Sequence, residues 1–152
     1  MPIGTTYVES GMVVTSFSDN ASVGYDPLTW NPTGGALYLH GTNQYVEFRM
    51  ANQSTFNLNS FDFMTNIGPL DSRWIATSTG WSEPLPSVHL QTLNFTGPNY
   101  SNINWFRVGT SDWATELDNV NFTATPEPST YILLSIALGA VGFARKKMNK
   151  KA

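Results

Sequence analysis

The sequence contains no cysteine and few charged residues. The absence of cysteine excludes a disulfide framework, a thiolate zinc site and a cysteine nucleophile. Charged residues make up 12% of the chain, about half the share of an average soluble domain, and the net charge of −3 excludes a nucleic-acid-binding protein of the usual basic kind. No serine-hydrolase elbow, zinc-peptidase motif or phosphate loop occurs, and His40 and His89 belong to no motif. The sequence therefore predicts a protein that is not an enzyme.

Uncharged polar residues and aromatic residues take the place of the missing charges. The 152 residues, enough for one domain, include 17 Thr, 14 Ser and 14 Asn. Threonine favours strands, whereas asparagine and serine favour turns. Hydrophobic residues at 41% and aromatic residues at 13% argue against disorder. This composition favours a folded all-β domain with an uncharged polar surface.

Alternation of apolar and polar residues predicts several short strands. In the segment QYVEFRMA at positions 44–51, Val46, Phe48 and Met50 alternate with Tyr45, Glu47 and Arg49. Further strands are predicted at 12–18, 36–40, 60–66, 73–79, 88–96, 103–108 and 117–123. The alternation changes phase within 88–96, which predicts a bulge near Thr92. Eight or so strands separated by Gly, Pro and Asn clusters predict an antiparallel β-sandwich over residues 1–124.

The charges are divided between an acidic body and a basic tail. Residues 1–130 contain three arginines, no lysine and all eleven acidic residues, a balance of −8. The basic residues of the tail are Arg145, Lys146, Lys147, Lys150 and Lys151, a balance of +5. This asymmetry predicts a partner or a membrane near the tail.

The residues between body and tail, 131–144 (YILLSIALGAVGFA), carry no charge. With Ser129 and Thr130 they would form a helix about 24 Å long, somewhat shorter than the hydrocarbon core of about 30 Å. A buried core helix is the alternative, but apolar residues surround the whole helix and a basic cluster follows it. We therefore expect a marginal membrane-spanning helix that anchors the protein transiently. The positive-inside rule then places the tail in the cytoplasm and residues 1–125 outside.

The C-terminal region 125–152 resembles the PEP-CTERM sorting signal of Gram-negative bacteria. The resemblance rests on three parts in order: the segment TPEPST at 125–130, the apolar stretch, and the basic cluster at the end. It implies that an exosortase, a membrane-embedded protease, reads the tail, and that the body is released or transferred to the cell surface. Pro126, Glu127 and Pro128 would be the recognition motif. Two prolines keep this segment extended, as a protease cleft requires; a plain linker before a helix is the alternative.

Exported members of that family carry an N-terminal signal peptide. Residues 1–20 show neither a positive n-region nor an apolar h-region. We expect that the sequence as given starts after such a signal, or that the start of the gene was assigned too late.

The body resembles the jelly-roll domains of carbohydrate-binding modules. The residues that suggest it are YVESGM at 7–12, LNSFDF at 58–63 and LDNV at 117–120. Domains of this kind often hold a structural calcium ion where the first and last strands meet, and the resemblance implies that its ligands here would be Glu9 and Asp118. The alternative is that Glu9 is exposed and Asp118 accepts backbone hydrogen bonds or caps a turn.

The tryptophans and one carboxylate pair are the remaining candidates for a site. Trp81 lies in the loop-like segment GWSEPLP at 80–86 and is a carbohydrate candidate, because an exposed tryptophan often marks a recognition surface; folding back over a sandwich edge is the alternative. Core positions are predicted for the others, which are Trp30, Trp74, Trp105 and Trp113. Glu116 and Asp118 would share one strand face, exposed or facing a metal, rather than form a glycosidase pair across a cleft.

Two classes of function follow. The first is an exported cell-surface or extracellular-matrix protein, sorted through its tail and associated with exopolysaccharide or a biofilm. The second is a lectin-like carbohydrate-binding module that is anchored to or released from the surface.

Overall fold

The protein is an antiparallel β-sandwich. A computed structural model describes residues 6–17, 22–25, 35–39, 44–65, 73–86, 90–110 and 115–125. Its strands are β1 (Thr6–Glu9), β2 (Met12–Ser16), β3 (Ser22–Tyr25), β4 (Gly35–Leu39), β5 (Gln44–Met50), β6 (Phe56–Thr65), β7 (Arg73–Thr77), β8 (Ser82–Pro84), β9 (Gln91–Asn94), β10 (Trp105–Thr110) and β11 (Thr115–Ala124). A single 3₁₀ turn at Pro98–Tyr100 is the helical element within these ranges.

The strands form two sheets. The first sheet has the order β1-β2-β5-β10-β7-β8, and the second has the order β3-β4-β11-β6-β9. All pairings are antiparallel. The all-β class and the antiparallel sheets were predictable from the sequence, and both are confirmed.

The predicted C-terminal helix at 131–144 lies outside the described residues. Within the ranges that the structure describes, no helix has the length and apolarity needed to cross a bilayer.

Phenylalanines form the centre of the core between the two sheets. Phe48 of β5 and Phe106 of β10 are parallel, with ring centroids 4.4 Å apart. Phe56 and Phe61 of the second sheet contact Phe106 from the opposite side, each with ring centroids 6.2 Å away. These four rings are at most 3% exposed, and their burial joins the two sheets. Burying a phenylalanine contributes about 1.5–3 kcal/mol.

The central strands of the first sheet follow the predicted alternation. Val46 and Phe48 of β5 are buried, and so are Phe106 and Val108 of β10. The intervening residues of both strands point to the outer face of the sheet, away from the core. The outer face therefore carries the polar and aromatic residues of these strands.

The second sheet contains irregular pairing at a place that the sequence analysis did not predict. Along β6 and β11 the register shifts between Asp118 and Asn121 and again between Asn121 and Phe122. Because each shift moves side chains between faces, Leu58 and Phe61 are both buried although they are three residues apart. The bulge predicted near Thr92 is wrong, since β9 pairs with β6 in regular register from Gln91 to Asn94.

Strands β1, β3 and β8 were not predicted. All three are three or four residues long and lie at sheet edges. Edge strands pair on one side only, so proline is tolerated there, and β8 contains Pro84. Short edge strands carry little periodic signal, which explains why the sequence pattern missed them.

Candidate functional site

Aromatic and charged side chains gather on the outer face of the first sheet. We call this surface the aromatic–arginine face. It consists of Phe17, Tyr45, Glu47, Arg49, Trp74, Trp105 and Arg107. The residues come from the central strands β5, β10 and β7 and from the residue after β2.

Tyr45, Gly109 and Trp74 lie side by side across the three adjacent strands β5, β10 and β7. Gly109 is the cross-strand partner of Tyr45 on one side and of Trp74 on the other. Strands separated by one neighbour lie roughly 9.5 Å apart, yet the rings of Tyr45 and Trp74 have centroids 5.9 Å apart. A Cβ on Gly109 would come within 2.2 Å of the Trp74 ring. The missing side chain therefore allows the indole to lie against the backbone of β10 and approach Tyr45.

Arg107 lies between two aromatic rings of this face, those of Tyr45 and Trp105. Trp105, Arg107 and Gly109 alternate along β10 and so lie on the same face of the strand. The Arg107 guanidinium carbon lies 5.0 Å from the centre of the Tyr45 ring and 4.2 Å from that of the Trp105 ring. Both distances are within the range of a cation–π interaction. The guanidinium thus links the two rings into one continuous surface.

Glu47 holds the two arginines of the face. It is the cross-strand partner of Arg107, and its Oε2 accepts a hydrogen bond of 2.8 Å from Arg107 Nε. Its Oε1 accepts a bond from Arg49 Nε. Burial raises the pKa of Glu47, but the hydrogen bonds and charges of Arg49 and Arg107 outweigh burial and hold the pKa below its ordinary value of 4.5. Glu47 is therefore a buried anion at the base of the face.

Phe17 extends the face beyond the end of β2. Its ring stacks on Tyr45 with centroids 4.6 Å apart and an interplanar angle of 16°. Its backbone N–H donates to the carbonyl of Tyr45, which fixes the chain at this point. Phe17 is exposed, so its ring presents apolar surface to solvent.

The chemistry of this face suits a ligand that has flat apolar sides and polar edges. Aromatic rings gain most from contact with apolar faces, and guanidinium groups donate several hydrogen bonds in a fixed plane. A sugar ring combines an apolar face of C–H groups with hydroxyl groups at its rim.

A cleft lies between the edge strands of the two sheets, apart from the aromatic–arginine face. Its volume is about 540 Å³, and it has β8 on one side and β9 on the other. Tyr100 and Glu83 line it, and the Tyr100 hydroxyl donates a hydrogen bond to Glu83 Oε1. Burial, with the hydrogen bond and charge of Glu83, raises the pKa of Tyr100. This contact attaches β8 to the 3₁₀ turn.

Trp81, the carbohydrate candidate, lies in the turn that precedes β8. It is 43% exposed, and its backbone N–H donates a hydrogen bond of 3.4 Å to Thr79 Oγ1. The turn therefore fixes the backbone of Trp81 and leaves its side chain accessible to solvent. Its role in sugar binding stays a prediction.

The predicted core positions of Trp74 and Trp105 are wrong. Both are partly exposed on the outer face of the first sheet. The sequence contained the relevant signal, because Trp105 alternates in phase with Arg107, and Tyr45 alternates in phase with Glu47. An aromatic residue in the polar phase of a strand indicates an outer position. Trp30 and Trp113 lie outside the described residues, as do His40 and His89.

The two predicted calcium ligands belong to different sheets. Glu9 ends β1 at the edge of the first sheet, whereas Asp118 lies in β11 in the middle of the second. Asp118 Oδ1 accepts a hydrogen bond of 2.7 Å from the backbone N–H of Asn119. The side chain of Glu9 is outside the described part. Among the described residues, no three or more acidic or histidine side chains form a group suited to a metal. The calcium site stays a prediction.

Glu116 and Asp118 differ in their surroundings. Glu116 is buried at 4% exposure, which corrects the expectation that it is exposed to solvent; that it faces a metal stays a prediction. Asp118 stands directly opposite Asp62 of β6. Like charges in this position repel, and hydrogen bonds compensate, because Asn119 Nδ2 donates to Asp62 Oδ2 at 2.7 Å.

Comparison with known proteins identifies the tail. Residues 124–147 match the PEP-CTERM protein-sorting motif. The chain therefore carries this sorting signal, which implies an exported protein that an exosortase processes. Pro126, Glu127, Pro128, Arg145, Lys146 and Lys147 fall within the match, while Lys150 and Lys151 follow it. All of these residues lie outside the described part of the chain.

No curated protein matches the chain. Among solved structures, the chain is similar to CBM86, a low-affinity xylan-binding module from Roseburia intestinalis, with 13% identity and a TM-score of 0.33. The similarity covers 78% of this chain and 97% of the other.

Proposed function

We propose that this protein is an exported surface or extracellular-matrix protein that is sorted and cut through its C-terminal signal and associates with exopolysaccharide. The observation that carries the proposal is the match of residues 124–147 to the PEP-CTERM motif. Residues 131–144 anchor the precursor in the inner membrane, and the basic tail stays in the cytoplasm. The β-sandwich body then reaches the cell surface or the surrounding matrix.

Replacing Pro126, Glu127 and Pro128 with alanine tests the sorting step. The precursor should accumulate in the inner membrane, because the extended motif that the protease reads is lost. Thr130→Ala is the matched control, since it changes the same segment but leaves the motif intact. Equal surface display of the triple variant and the control would contradict the proposal.

A second candidate function, glycan binding by the body, is favoured by the aromatic–arginine face. Four aromatic rings form a connected set on this face: Tyr45 contacts Phe17 and Trp74 directly, and Arg107 links Tyr45 to Trp105. Contiguous exposed apolar surface with a polar surround marks an interaction site. The body is then a lectin-like module.

A glycan array with the full chain separates this function from a purely structural one. Trp105→Ala should remove binding at the aromatic–arginine face, whereas Trp81→Ala tests the turn before β8. Leu90→Ala serves as the control, because Leu90 is an exposed apolar residue that belongs neither to the aromatic–arginine face nor to the turn before β8. Loss of binding in Trp81→Ala alone would move the site to that turn, and absence of saturable binding in the wild type would leave only the structural function.

Calcium binding by Glu9 and Asp118 is part of the proposal for the body. Calcium prefers carboxylate and carbonyl oxygens, and a bound ion would raise the melting temperature by mass action on the folded state. Chelator should lower the melting temperature, and Asp118→Asn should lose most of the response. A wild-type melting temperature that ignores both calcium and chelator would exclude the site.

A further inference from the structure

We infer that the aromatic–arginine face binds an acidic polysaccharide, with Arg49 and Arg107 recognising a sugar carboxylate and Trp105 contacting the sugar ring. This inference rests on the proposed glycan-binding function and names the class of glycan. Its basis is the distribution of charge over the molecule.

Cationic side chains are rare outside the tail. Between residue 1 and residue 144 the only arginine or lysine side chains are Arg49, Arg73 and Arg107. Arg73 is buried at 1% exposure inside the sandwich, where its Nε donates to Thr115 Oγ1. The other two both lie on the aromatic–arginine face. The two cations outside the core therefore lie beside the rings of Tyr45, Trp74 and Trp105.

The opposite face of the sandwich carries acidic residues. Asp62 and Asp118 lie side by side on the second sheet, between the buried positions of β6 and β11. A polyanion approaching an acidic body would be repelled from such a surface and attracted to the cationic one. The charge distribution thus favours binding of a polyanion at the aromatic–arginine face over binding at the acidic second sheet.

The local geometry matches a uronic acid unit. Arg49 is the cross-strand partner of Trp105, and side chains in this relation are about 5 Å apart at Cβ. The carboxylate of a uronic acid is attached directly to the sugar ring. A ring stacked on Trp105 would therefore hold its carboxylate within reach of Arg49, whose side chain is 47% exposed. Charge-assisted hydrogen bonds between guanidinium and carboxylate are stronger than neutral ones.

Glu47 is a positioning residue in this arrangement. It pairs with both arginines from a buried position, so two cations and one anion leave a charge of +1 on the face. The pairing occupies Nε of Arg49, the nitrogen nearest the chain. It also holds the guanidinium of Arg107 between the two rings. Preorganised donors bind with less loss of side-chain entropy.

Binding of alginate and hyaluronan, compared with the same polymers after chemical reduction of their carboxylates, tests the inference. The full chain is used in a non-ionic detergent without sugar groups, with its five basic tail residues replaced by glutamine so that the tail adds no cations. The dissociation constants of the reduced polymers should be at least about tenfold higher than those of the acidic polymers, because charge-assisted hydrogen bonds are lost. Arg49→Gln should weaken binding of at least one acidic polymer by a similar factor and weaken binding of its reduced form much less, because a neutral hydroxyl forms a weaker hydrogen bond with guanidinium than a carboxylate does.

Several outcomes separate this inference from the glycan proposal. Equal binding of acidic and reduced polymers, lost in Trp105→Ala, would overturn the acidic class and retain glycan binding. Binding of polyglutamate as tight as that of alginate would overturn recognition of a sugar ring. No binding of any polysaccharide would overturn both. Lys150→Gln in the natural chain is the matched control, because it removes one cation from the tail and none from the aromatic–arginine face.

Discussion

Gly109 is the residue on which the shape of the aromatic–arginine face depends. Its backbone lies under the Trp74 indole, and a Cβ would come within 2.2 Å of that ring. The Trp74 side chain cannot relieve this contact by bending, because the close atoms all belong to its rigid indole ring. Replacing one Hα of Gly109 with a methyl group would therefore change the aromatic–arginine face without touching the core.

Gly109→Ala should displace Trp74 and destabilise the fold by about 1–3 kcal/mol, the usual effect of overpacking. Tryptophan fluorescence should shift, and polysaccharide binding should weaken. Gly97→Ala is the control, because it introduces strain at a φ of +96° in open space. Unchanged fluorescence and binding in Gly109→Ala would contradict the contact.

Glu47 makes stability depend on pH in an acidic window. Its folded pKa lies below 4.5, so its contribution is complete above that pH and is lost as the pH falls through the folded pKa. Glu47→Gln should cost about 2 kcal/mol at neutral pH, because two charge-assisted hydrogen bonds are weakened.

Thermal unfolding of wild type and Glu47→Gln across acidic and neutral pH measures this effect. The difference between their melting temperatures should be largest at neutral pH and should shrink below pH 4.5. Glu83→Gln, a second carboxylate variant, controls for general acid effects. A constant difference at all pH values would show that Glu47 is not titrating between the arginines.

At the scale of the strand, the pairing of β6 with β11 contains register shifts between Asp118 and Phe122. These shifts determine which residues of the two strands are buried. Asn119 adopts a φ of +49° at the bulge, in the left-handed region that asparagine tolerates better than most residues. Its side-chain amide donates to Asp62 and its backbone N–H donates to Asp118. One residue therefore provides both the bend and the hydrogen bonds for two facing carboxylates.

Asn119→Val should destabilise the protein by about 1–3 kcal/mol, because a β-branched residue is strained at positive φ. Asn119→Gly should cost less, since it keeps the backbone conformation and loses only the side-chain bond to Asp62. Chemical denaturation of both variants gives the comparison. Equal stability of the valine and glycine variants would contradict a role for the backbone conformation.

Sequence patterns predicted the central strands better than the site. In β5 the alternation of Val46 and Phe48 with Glu47 and Arg49 predicts which residues face the core and which lie on the outer face. The site was missed because Trp105 was assigned by residue type, as a core aromatic, and not by its phase with Arg107. The bulge at Asn119 had no local signal, since it depends on the register between two strands that are distant in sequence.

At the scale of the whole molecule, the chain combines a sorting signal with a sandwich whose faces differ in charge. The signal at 124–147 is separate in sequence from the aromatic–arginine face, so sorting and binding should be independent. A variant such as Trp105→Ala should be sorted normally, and a variant of the motif should keep its binding surface.

The intact mass of the protein extracted from the surface of cells that carry an exosortase tests the central claim most directly. The account predicts a mature form cut near residues 126–129 that lacks most of residues 129–152, including the cluster from Arg145 to Lys151. A surface form that retains the complete tail in such cells would contradict it.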